Sequence, residues 1–162
     1  MSFVFDADIL SVFAKIKKIN LLRKAISEKD FLIPESVYLE LVRGRELGYD
    51  VDDVLDNKEF KIASMFPGEI ELFEKLKENK QLGSGECEAI SICKHRNFVF
   101  VTNDKIAKRA AEELDILTLG LISILRFCFI EFILTKNEIE NLIKDIEEKE
   151  NTVIKNKELI FS

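Results

Sequence analysis

The stretch "SFVFDADIL", residues 2–10, places three apolar strand formers directly before two aspartates that stand one residue apart. Phe3, Val4 and Phe5 form the kind of short apolar run that buried β-strands use. Asp6 and Asp8 are costly to bury unless a partner compensates their charge. The stretch therefore predicts a buried strand that ends at a site where acidic side chains meet a positive partner.

Composition limits the classes of fold and function that the chain can adopt. It has 162 residues, of which 47% are hydrophobic and 33% charged, and this suits a single globular domain. A net charge of −6 argues against a protein that holds nucleic acid by its overall charge. Three cysteines without CxxC spacing and the lack of a signal-like N-terminus predict a cytoplasmic protein.

Strand-like and helix-like segments alternate along the chain. Residues 9–26 have apolar residues at helical spacing, and "TKNE" at 135–138 matches a capping box that starts a last helix through about Lys149. The run 116–134 has nearly the length of a membrane span, but Arg126 and Glu131 lie inside it, so we predict a strand followed by a helix and no membrane segment. The other predicted strands are "FVF" at 3–5, "FLI" at 31–33, one near "FKIASMF", and "FVFVT" at 98–102.

This alternation predicts an α/β fold. We expect a three-layer α/β/α sandwich with a central, mostly parallel sheet of four to five strands and a helical C-terminal extension. Residues 1–134 form the predicted domain. Residues 135–162 are expected to form a helix and tail that pack on this domain or extend it.

Four acids fall near one predicted edge of this sheet. Asp6 ends the first strand, Asp104 follows "FVFVT", and Glu86 opens the helix before it. Glu40 shares a helix face with Val37 and is predicted to face the core. Sites in open parallel sheets form outside the carboxyl ends of the strands, so the four carboxylates can converge there.

Converging carboxylates repel one another unless a cation balances them. Oxygen ligands favour Mg²⁺ or Mn²⁺ over zinc, which usually brings His or Cys. Such an ion can activate a water for attack on phosphorus, so the pattern points to phosphodiester hydrolysis. Bases around the rim could supply phosphate contacts. The candidates are Arg43, Arg45, Lys105, Lys108 and Arg109.

Four motifs, "FVFDADIL", "IPESVYLELVRG", "LGSGECEAISIC" and "VFVTNDKIAKRAA", resemble the PIN-domain family in their order and spacing, most closely its VapC-like prokaryotic branch. The resemblance covers about residues 1–134. It implies a Mg²⁺- or Mn²⁺-dependent ribonuclease, often the toxin of a toxin-antitoxin pair and commonly a homodimer. It therefore implies an RNA substrate and a possible antitoxin partner.

The resemblance also implies roles for single residues. It makes Asp6, Glu40, Glu86 and Asp104 the metal-binding acids, and Thr102 and Asn103 match the small polar residues beside the fourth acid. Two positions depart from the family pattern. Asp8 stands where Ser or Asn is commoner, which leaves the number of metal ions open, and Glu86 replaces the commoner Asp.

Glu86 and Glu88 are rivals for the third acidic position, because residues two apart on a helix point in nearly opposite directions. The apolar residues of the helix point towards the side of Glu86, so we predict that Glu86 faces the site and Glu88 is solvated.

The phenylalanines near the end of the apolar run point in several directions, and Phe127, Phe129 and Phe132 cannot all face one sheet. They therefore predict an apolar surface for a homodimer.

Two other functions stay open. A phosphatase of the haloacid-dehalogenase type also begins with a strand and "DxD", and it would use Asp6 as its nucleophile. A PIN-like fold could also serve as a catalytically silent interaction module. For the nuclease, single-stranded or loop RNA is the expected substrate, because a small site reaches unstacked nucleotides more easily than a duplex.

Overall fold

The structure is a computed structural model, and it describes residues 1–26 and 29–162. Its centre is a five-stranded sheet with the order β3-β2-β1-β4-β5, in which every neighbouring pair is parallel. This confirms the predicted α/β fold with a parallel sheet. The strands are β1 (Phe3–Phe5), β2 (Phe31–Pro34), β3 (Phe60–Ala63), β4 (Val99–Val101) and β5 (Thr118–Leu119).

Helices cover both faces of the sheet because side chains alternate along each strand. In β1, Phe5 packs in a core with one group of helices, whereas Val4 packs in a second core on the opposite face. The first core takes side chains from α1 (Ala7–Lys15), α2 (Ile19–Ala25), α3 (Glu35–Glu46), α8 (Leu121–Ile130) and α9 (Lys136–Glu150). The second takes them from α5 (Pro67–Lys77), α6 (Ser84–Arg96) and α7 (Lys105–Glu112), and α4 (Asp52–Leu55) is a short helix between α3 and β3.

The segment with helical spacing at residues 9–26 is divided between two helices. Helix α1 ends at Lys15 and α2 begins at Ile19. Between them Lys17 has a φ of 60°, a left-handed conformation that a continuing helix cannot contain. The apolar period persists across this break because both helices pack against the same core, so the pattern alone did not reveal it.

The apolar run at 116–134 forms a strand and a helix, as predicted. Strand β5 is followed at Gly120 by α8, whose Leu121, Ile124 and Leu125 are buried in the first core. In the part of the chain that the structure describes, no helix is long and apolar enough to cross a membrane.

The C-terminal residues pack on the same core. Helix α9 begins with the predicted capping box, in which Thr135 and Glu138 each accept a hydrogen bond from the other's backbone N–H. The last residues form a short 3₁₀ helix, Lys157–Ile160, that buries Ile160 against the core near α8. Phe161 stacks edge-on against Phe129 at a centroid distance of 5.2 Å. The domain boundary at residue 134 stays a prediction.

Candidate active site at the carboxyl edge of the sheet

Asp6 connects the central strand β1 to helix α1 and is only 4% exposed. Its Oδ1 accepts a hydrogen bond of 2.7 Å from the backbone N–H of Ala7, so the side chain caps α1. Its Oδ2 accepts a hydrogen bond of 2.9 Å from the hydroxyl of Thr102, the residue after β4. These two donors fix the orientation of a carboxylate that is almost removed from water.

The environment of Asp6 opposes its ionisation. Burial raises the pKa of this carboxyl from 3.8 to about 7, and the charge of Glu86 adds to the rise. The hydrogen bonds from Thr102 and Ala7 lower the pKa, but they do not offset the burial. In the described residues, no Lys or Arg forms an ion pair with Asp6.

A cleft of about 580 Å³ opens at Asp6. Four acids line it, and we call it the acidic cleft: Asp6, Asp8 on α1, Glu40 on α3 and Glu86 on α6. The structure therefore brings together three of the four acids that were predicted to bind metal, together with the supporting Asp8. Glu40 is exposed and lies on the wall of the cleft, so the prediction that it faces the core is wrong.

Close packing of two helices brings Glu40 near Glu86. Gly85 lies against Val37 of α3, and a Cβ at Gly85 would stand only 2.8 Å from Val37 Cγ2. It would also lie 3.8 Å from the Oε2 atom of Glu40. Glycine at position 85 thus allows α3 and α6 to pack closely, and a larger residue there would push the two helices apart.

The acids of the cleft raise one another's pKa values. For Glu86, burial is the largest cause, and the charges of Asp104, Asp8 and Glu40 add to it, while the N–H of Gly83 opposes them by donating to Oε2 at 2.9 Å. For Glu40, an exposed residue, partial desolvation of the carboxyl in the cleft comes first and the charge of Asp8 adds to it, whereas Arg43 opposes the rise in pKa.

The pKa of Asp8 is raised in the same way. Burial is the largest cause, followed by the charges of Asp104 and Glu150, while Lys15 lowers the pKa. Glu150 stands at the end of α9, so the C-terminal helix reaches the neighbourhood of the site. The acids of this edge form one mutually repelling group.

Asp104, the fourth predicted acid, stands beside the acidic cleft and does not line it. It caps α7, because its Oδ1 accepts a hydrogen bond of 2.8 Å from the N–H of Ala107. Its own N–H donates to Thr102 Oγ1 at 3.2 Å, and the Thr102 hydroxyl in turn donates to Asp6. Thr102 therefore links the first and fourth acids, and Asn103 Oδ1 accepts from the N–H of Leu121 at 3.4 Å.

Glu88 is not solvated, and that prediction is wrong. It is 3% exposed, and its Oε2 accepts a hydrogen bond of 3.1 Å from the N–H of Ser36 in the first turn of α3. The error arose because α6 is buried around most of its circumference from Gly85 to Cys93, so the mean direction of its apolar residues does not identify a solvent face. Glu88 therefore connects α6 to the first turn of α3, the helix that carries Glu40.

The predicted rim bases occupy different places. Arg43 lines the acidic cleft, whereas Arg45 turns away and lies 3.7 Å from Asp52 and 3.8 Å from Asp56. Lys105, Lys108 and Arg109, on α7, line two further clefts. Sequence reasoning missed the polar residues Ser36, Gln81 and Ser84, which also line the acidic cleft. Only the glycines of "LGSGE" hinted at a close approach there.

The donor set fits a hard divalent cation, because it consists of carboxylate oxygens whose mutual repulsion a cation would relieve. In the described residues, however, no group of three or more Asp, Glu, His or Cys side chains is arranged to hold a metal ion. The acids converge on one cleft without forming a closed coordination shell. Asp6 is held in one orientation by two donors, while Glu40 is exposed on the cleft wall and free to adjust.

Comparisons with known proteins agree with the fold. In solved structures, the chain is similar to a PilT N-terminus domain protein of the hyperthermophilic archaeon Sulfolobus solfataricus P2, at 20% identity and a TM-score of 0.51, over 76% of this chain and 90% of that one. It is also similar to VapBC2 from Rickettsia felis, solved bound to a DNA fragment from their promoter, at 18% identity and a TM-score of 0.56, over 74% of this chain and 98% of that one.

These two likenesses support the fold. No curated protein matches the sequence. A family model described as "DUF3368: PIN domain" matches residues 2–159, nearly the whole chain. The chain belongs to the PIN-domain family, as its four motifs predicted.

Proposed function

We propose that this chain is a Mg²⁺- or Mn²⁺-dependent endoribonuclease that hydrolyses phosphodiester bonds of RNA. PIN-domain proteins are generally nucleases, and membership of the family supports that general activity. One observation carries the proposal: a buried carboxylate, Asp6, stands among three further acids, and the described part of the chain provides no ion pair for it. A cation from outside the chain would relieve the repulsion among these acids and offset the cost of burying the ionised Asp6.

Asp6, Glu40, Glu86 and Asp104 are the residues that would hold the ion. When bound, such an ion lowers the pKa of a coordinated water and neutralises charge on a phosphate oxygen. Thr102 supports Asp6 by donating to its Oδ2 atom, which keeps the carboxylate turned into the cleft. The same hydroxyl accepts the N–H of Asp104, so movement of either acid is resisted by the other.

The neighbouring groups suit a phosphate-bearing substrate. Arg43 lines the acidic cleft and can contact a non-bridging phosphate oxygen. Asp8 adds a further negative charge near the metal-binding acids, and we propose that it orients the attacking water by accepting a hydrogen bond from it. The cleft is small, about 580 Å³, which favours an unstacked nucleotide of single-stranded or loop RNA over a duplex.

The test compares Asp6→Asn with Asp56→Asn in an RNA cleavage assay with Mn²⁺. Asp56 is a solvated aspartate outside the acidic cleft, so its variant controls for the loss of one negative charge. Asp6→Asn should lose at least about 100-fold in activity, because removal of one electrostatic group at a reaction centre costs that much. Undiminished cleavage in excess EDTA would refute the proposal.

The two alternatives predict different outcomes. A phosphatase of the haloacid-dehalogenase type would form an aspartyl-phosphate on Asp6, detectable by mass, but the family match favours the nuclease. If the chain is a silent interaction module, the wild-type protein and the Asp6→Asn variant should bind a partner equally well. Calorimetry should then detect no Mn²⁺ binding. The set of acids around the cleft argues against that module.

We further propose that the chain is the toxin of a toxin-antitoxin pair and acts in the cytoplasm. The fold likeness to VapBC2, which was solved with promoter DNA, supports an antitoxin partner encoded by a neighbouring reading frame. Expression of the wild-type chain should arrest growth, and Asp6→Asn should not. Coexpression of the neighbouring gene product should relieve the arrest, and failure to bind that product would remove the partner from the proposal.

A homodimer is also proposed, on the exposed aromatic side chains of the α8 region. Phe132 is 93% exposed and Phe127 is 45% exposed, whereas Phe129 packs against Phe161 within the chain. Two of the three phenylalanines are therefore available for a second copy. Light scattering at micromolar concentration should report a dimer, and a monomer would contradict this part of the proposal.

A further inference from the structure

Three clefts follow one another from the acidic site to the C-terminal segment. The acidic cleft shares Gln81 with a second cleft of about 310 Å³, formed where α7 faces the loop after α5. That second cleft shares Lys105 with a third cleft of about 410 Å³, one wall of which comes from residues 153–156. Because each neighbouring pair has a wall residue in common, the three clefts adjoin one another, and we call this series of clefts the groove.

The charge of the groove reverses along its length. The second and third clefts are lined by four bases, Lys105, Lys108, Arg109 and Lys155, and by one acid, Glu113. In residues 1–26 and 29–162, only Lys108 among these bases has an acidic partner within ion-pair distance, the exposed Glu112 at 3.8 Å. On a chain with a net charge of −6, this concentration of bases is a local feature that an anionic ligand would neutralise.

Three of the four bases lie on one helix. Lys105 and Arg109 are four residues apart on α7 and thus share a helix face, and α7 is about 12 Å long for its eight residues. Lys155, in the C-terminal segment, lines the third cleft together with Lys105 and Lys108. Four cations spread over two adjoining clefts suit a polymer with several phosphates better than a single small anion.

We propose that this basic groove, lined by Lys105, Lys108, Arg109 and Lys155, binds the phosphate backbone of single-stranded RNA on one side of the bond that is cleaved. This proposal rests on the proposed nuclease function and deepens it. The small volume of the second cleft, about 310 Å³, favours an unpaired strand over a duplex where the RNA passes α7. The C-terminal segment, far from the acids in sequence, thereby becomes part of the substrate site.

The experiment measures binding without cleavage. Fluorescence anisotropy follows a labelled single-stranded RNA with the Asp6→Asn protein in EDTA, so that binding does not depend on metal or turnover. Lys105→Ala and Lys155→Ala are made in this background, and Lys144→Ala is the control. Lys144 is an exposed lysine on α9 that lines a different cleft, so its loss changes the net charge equally.

Lys105→Ala and Lys155→Ala should each weaken RNA binding about 5-fold and reduce the slope of log affinity against log salt by about one, while Lys144→Ala should change neither. This result supports the groove even if the wild-type chain cleaves no RNA, so the two proposals can fail separately. Equal effects of all three variants, or tighter binding to duplex DNA than to the RNA, would overturn the assignment.

Discussion

Two buried carboxylates of this protein stand in opposite electrostatic circumstances. Asp6 is 4% exposed at the end of β1, and Glu69 is 2% exposed in the first turn of α5. Although burial raises the pKa of Glu69, two hydrogen bonds from Arg96 and one from the N–H of Phe66 hold it below its usual value. Burial and the charge of Glu86 instead raise the pKa of Asp6 to about 7.

The difference shows which carboxylate is structural. Glu69 has a cation within the chain, because Arg96 reaches it with Nε at 2.7 Å and Nη2 at 2.9 Å and also covers the ring of Phe66 at 3.9 Å. Asp6 has only neutral donors, Thr102 and Ala7. A buried acid that the fold itself neutralises maintains the structure, whereas one that it leaves uncompensated is available for a ligand.

The largest effect should follow when the compensation at Glu69 is removed. Arg96→Ala leaves a buried carboxylate without its cation, so the free energy of unfolding should fall by about 3–5 kcal/mol. Arg45→Ala is the matched control, because Arg45 forms longer and more exposed pairs with Asp52 and Asp56 and should cost less than about 1 kcal/mol. Urea unfolding followed by circular dichroism measures both. Similar losses in the two variants would contradict the comparison.

Removal of the charge at Asp6 should change the free energy of unfolding in the opposite direction and stabilise the protein. In metal-free protein at pH 8, Asp6→Asn should raise the free energy of unfolding by roughly 2–3 kcal/mol, because the amide carries no charge to desolvate. Its oxygen can accept from the N–H of Ala7, and its NH2 group can donate to the hydroxyl oxygen of Thr102, which then turns its own proton away. In excess Mn²⁺ the wild type should have the higher free energy of unfolding, because the bound ion stabilises it. A destabilised Asp6→Asn protein without metal would show that Asp6 serves the fold alone.

The pH dependence gives a sharper form of this prediction. The folded-state pKa of Asp6 lies above its ordinary value of 3.8, so the folded protein binds more protons than the unfolded chain between about pH 4 and 7. The stability from Asp6 is therefore present below pH 4 and lost as the pH rises through about 7. Glu69, with a lowered pKa, contributes stability that is lost as the pH falls. In EDTA, the difference in unfolding free energy between Asp6→Asn and the wild type should therefore increase as the pH rises from about 4 to 7. A difference that stays constant over this range would argue against the raised pKa.

An intermediate effect is expected at the contact between α3 and α6. Gly85→Ala places a Cβ 2.8 Å from Val37 Cγ2, so the helices must separate, and we expect a loss of about 1–2 kcal/mol in unfolding free energy. Mn²⁺ affinity should fall as well, because Glu40 and Glu86 move apart. Gly68→Ala is the control, since a Cβ there meets nothing within 4 Å. Unchanged metal affinity in the Gly85→Ala protein would show that this contact does not set the geometry of the acids.

The sequence was informative where local pattern and topology agree. The strand at 3–5 and the acid that ends it were both predicted, because a short apolar run followed by a helix cap has few other interpretations. The break at Lys17 was not predicted, since both flanking helices contribute to one core and the apolar period continues across it. The contribution of Lys155 to the groove depends on the path of the C-terminal segment, which no local pattern encodes.

The choice between Glu86 and Glu88 gives the finest test of which acids serve the site and which serve the fold. Glu86 lines the acidic cleft and has a raised pKa, caused first by burial and then by the surrounding acids. Glu88 is buried outside that cleft and accepts a hydrogen bond from the N–H of Ser36 on α3, so we assign it a structural role through this contact, although in the described part of the chain it has no cation of the kind that Arg96 gives Glu69.

Glu86→Gln should therefore weaken Mn²⁺ binding about tenfold, or ~1.4 kcal/mol, and remove most RNA cleavage, because the amide lacks the charge that the ion requires. Glu88→Gln should keep most of both, since an amide oxygen can still accept the hydrogen bond from Ser36. Thermal unfolding of each variant checks that the fold is intact, and calorimetry with Mn²⁺ measures the affinity. If Glu88→Gln were to lose metal binding while Glu86→Gln retained it, the acid nearer the helix start would be structural, and the metal-binding and structural roles assigned to this pair would have to be exchanged.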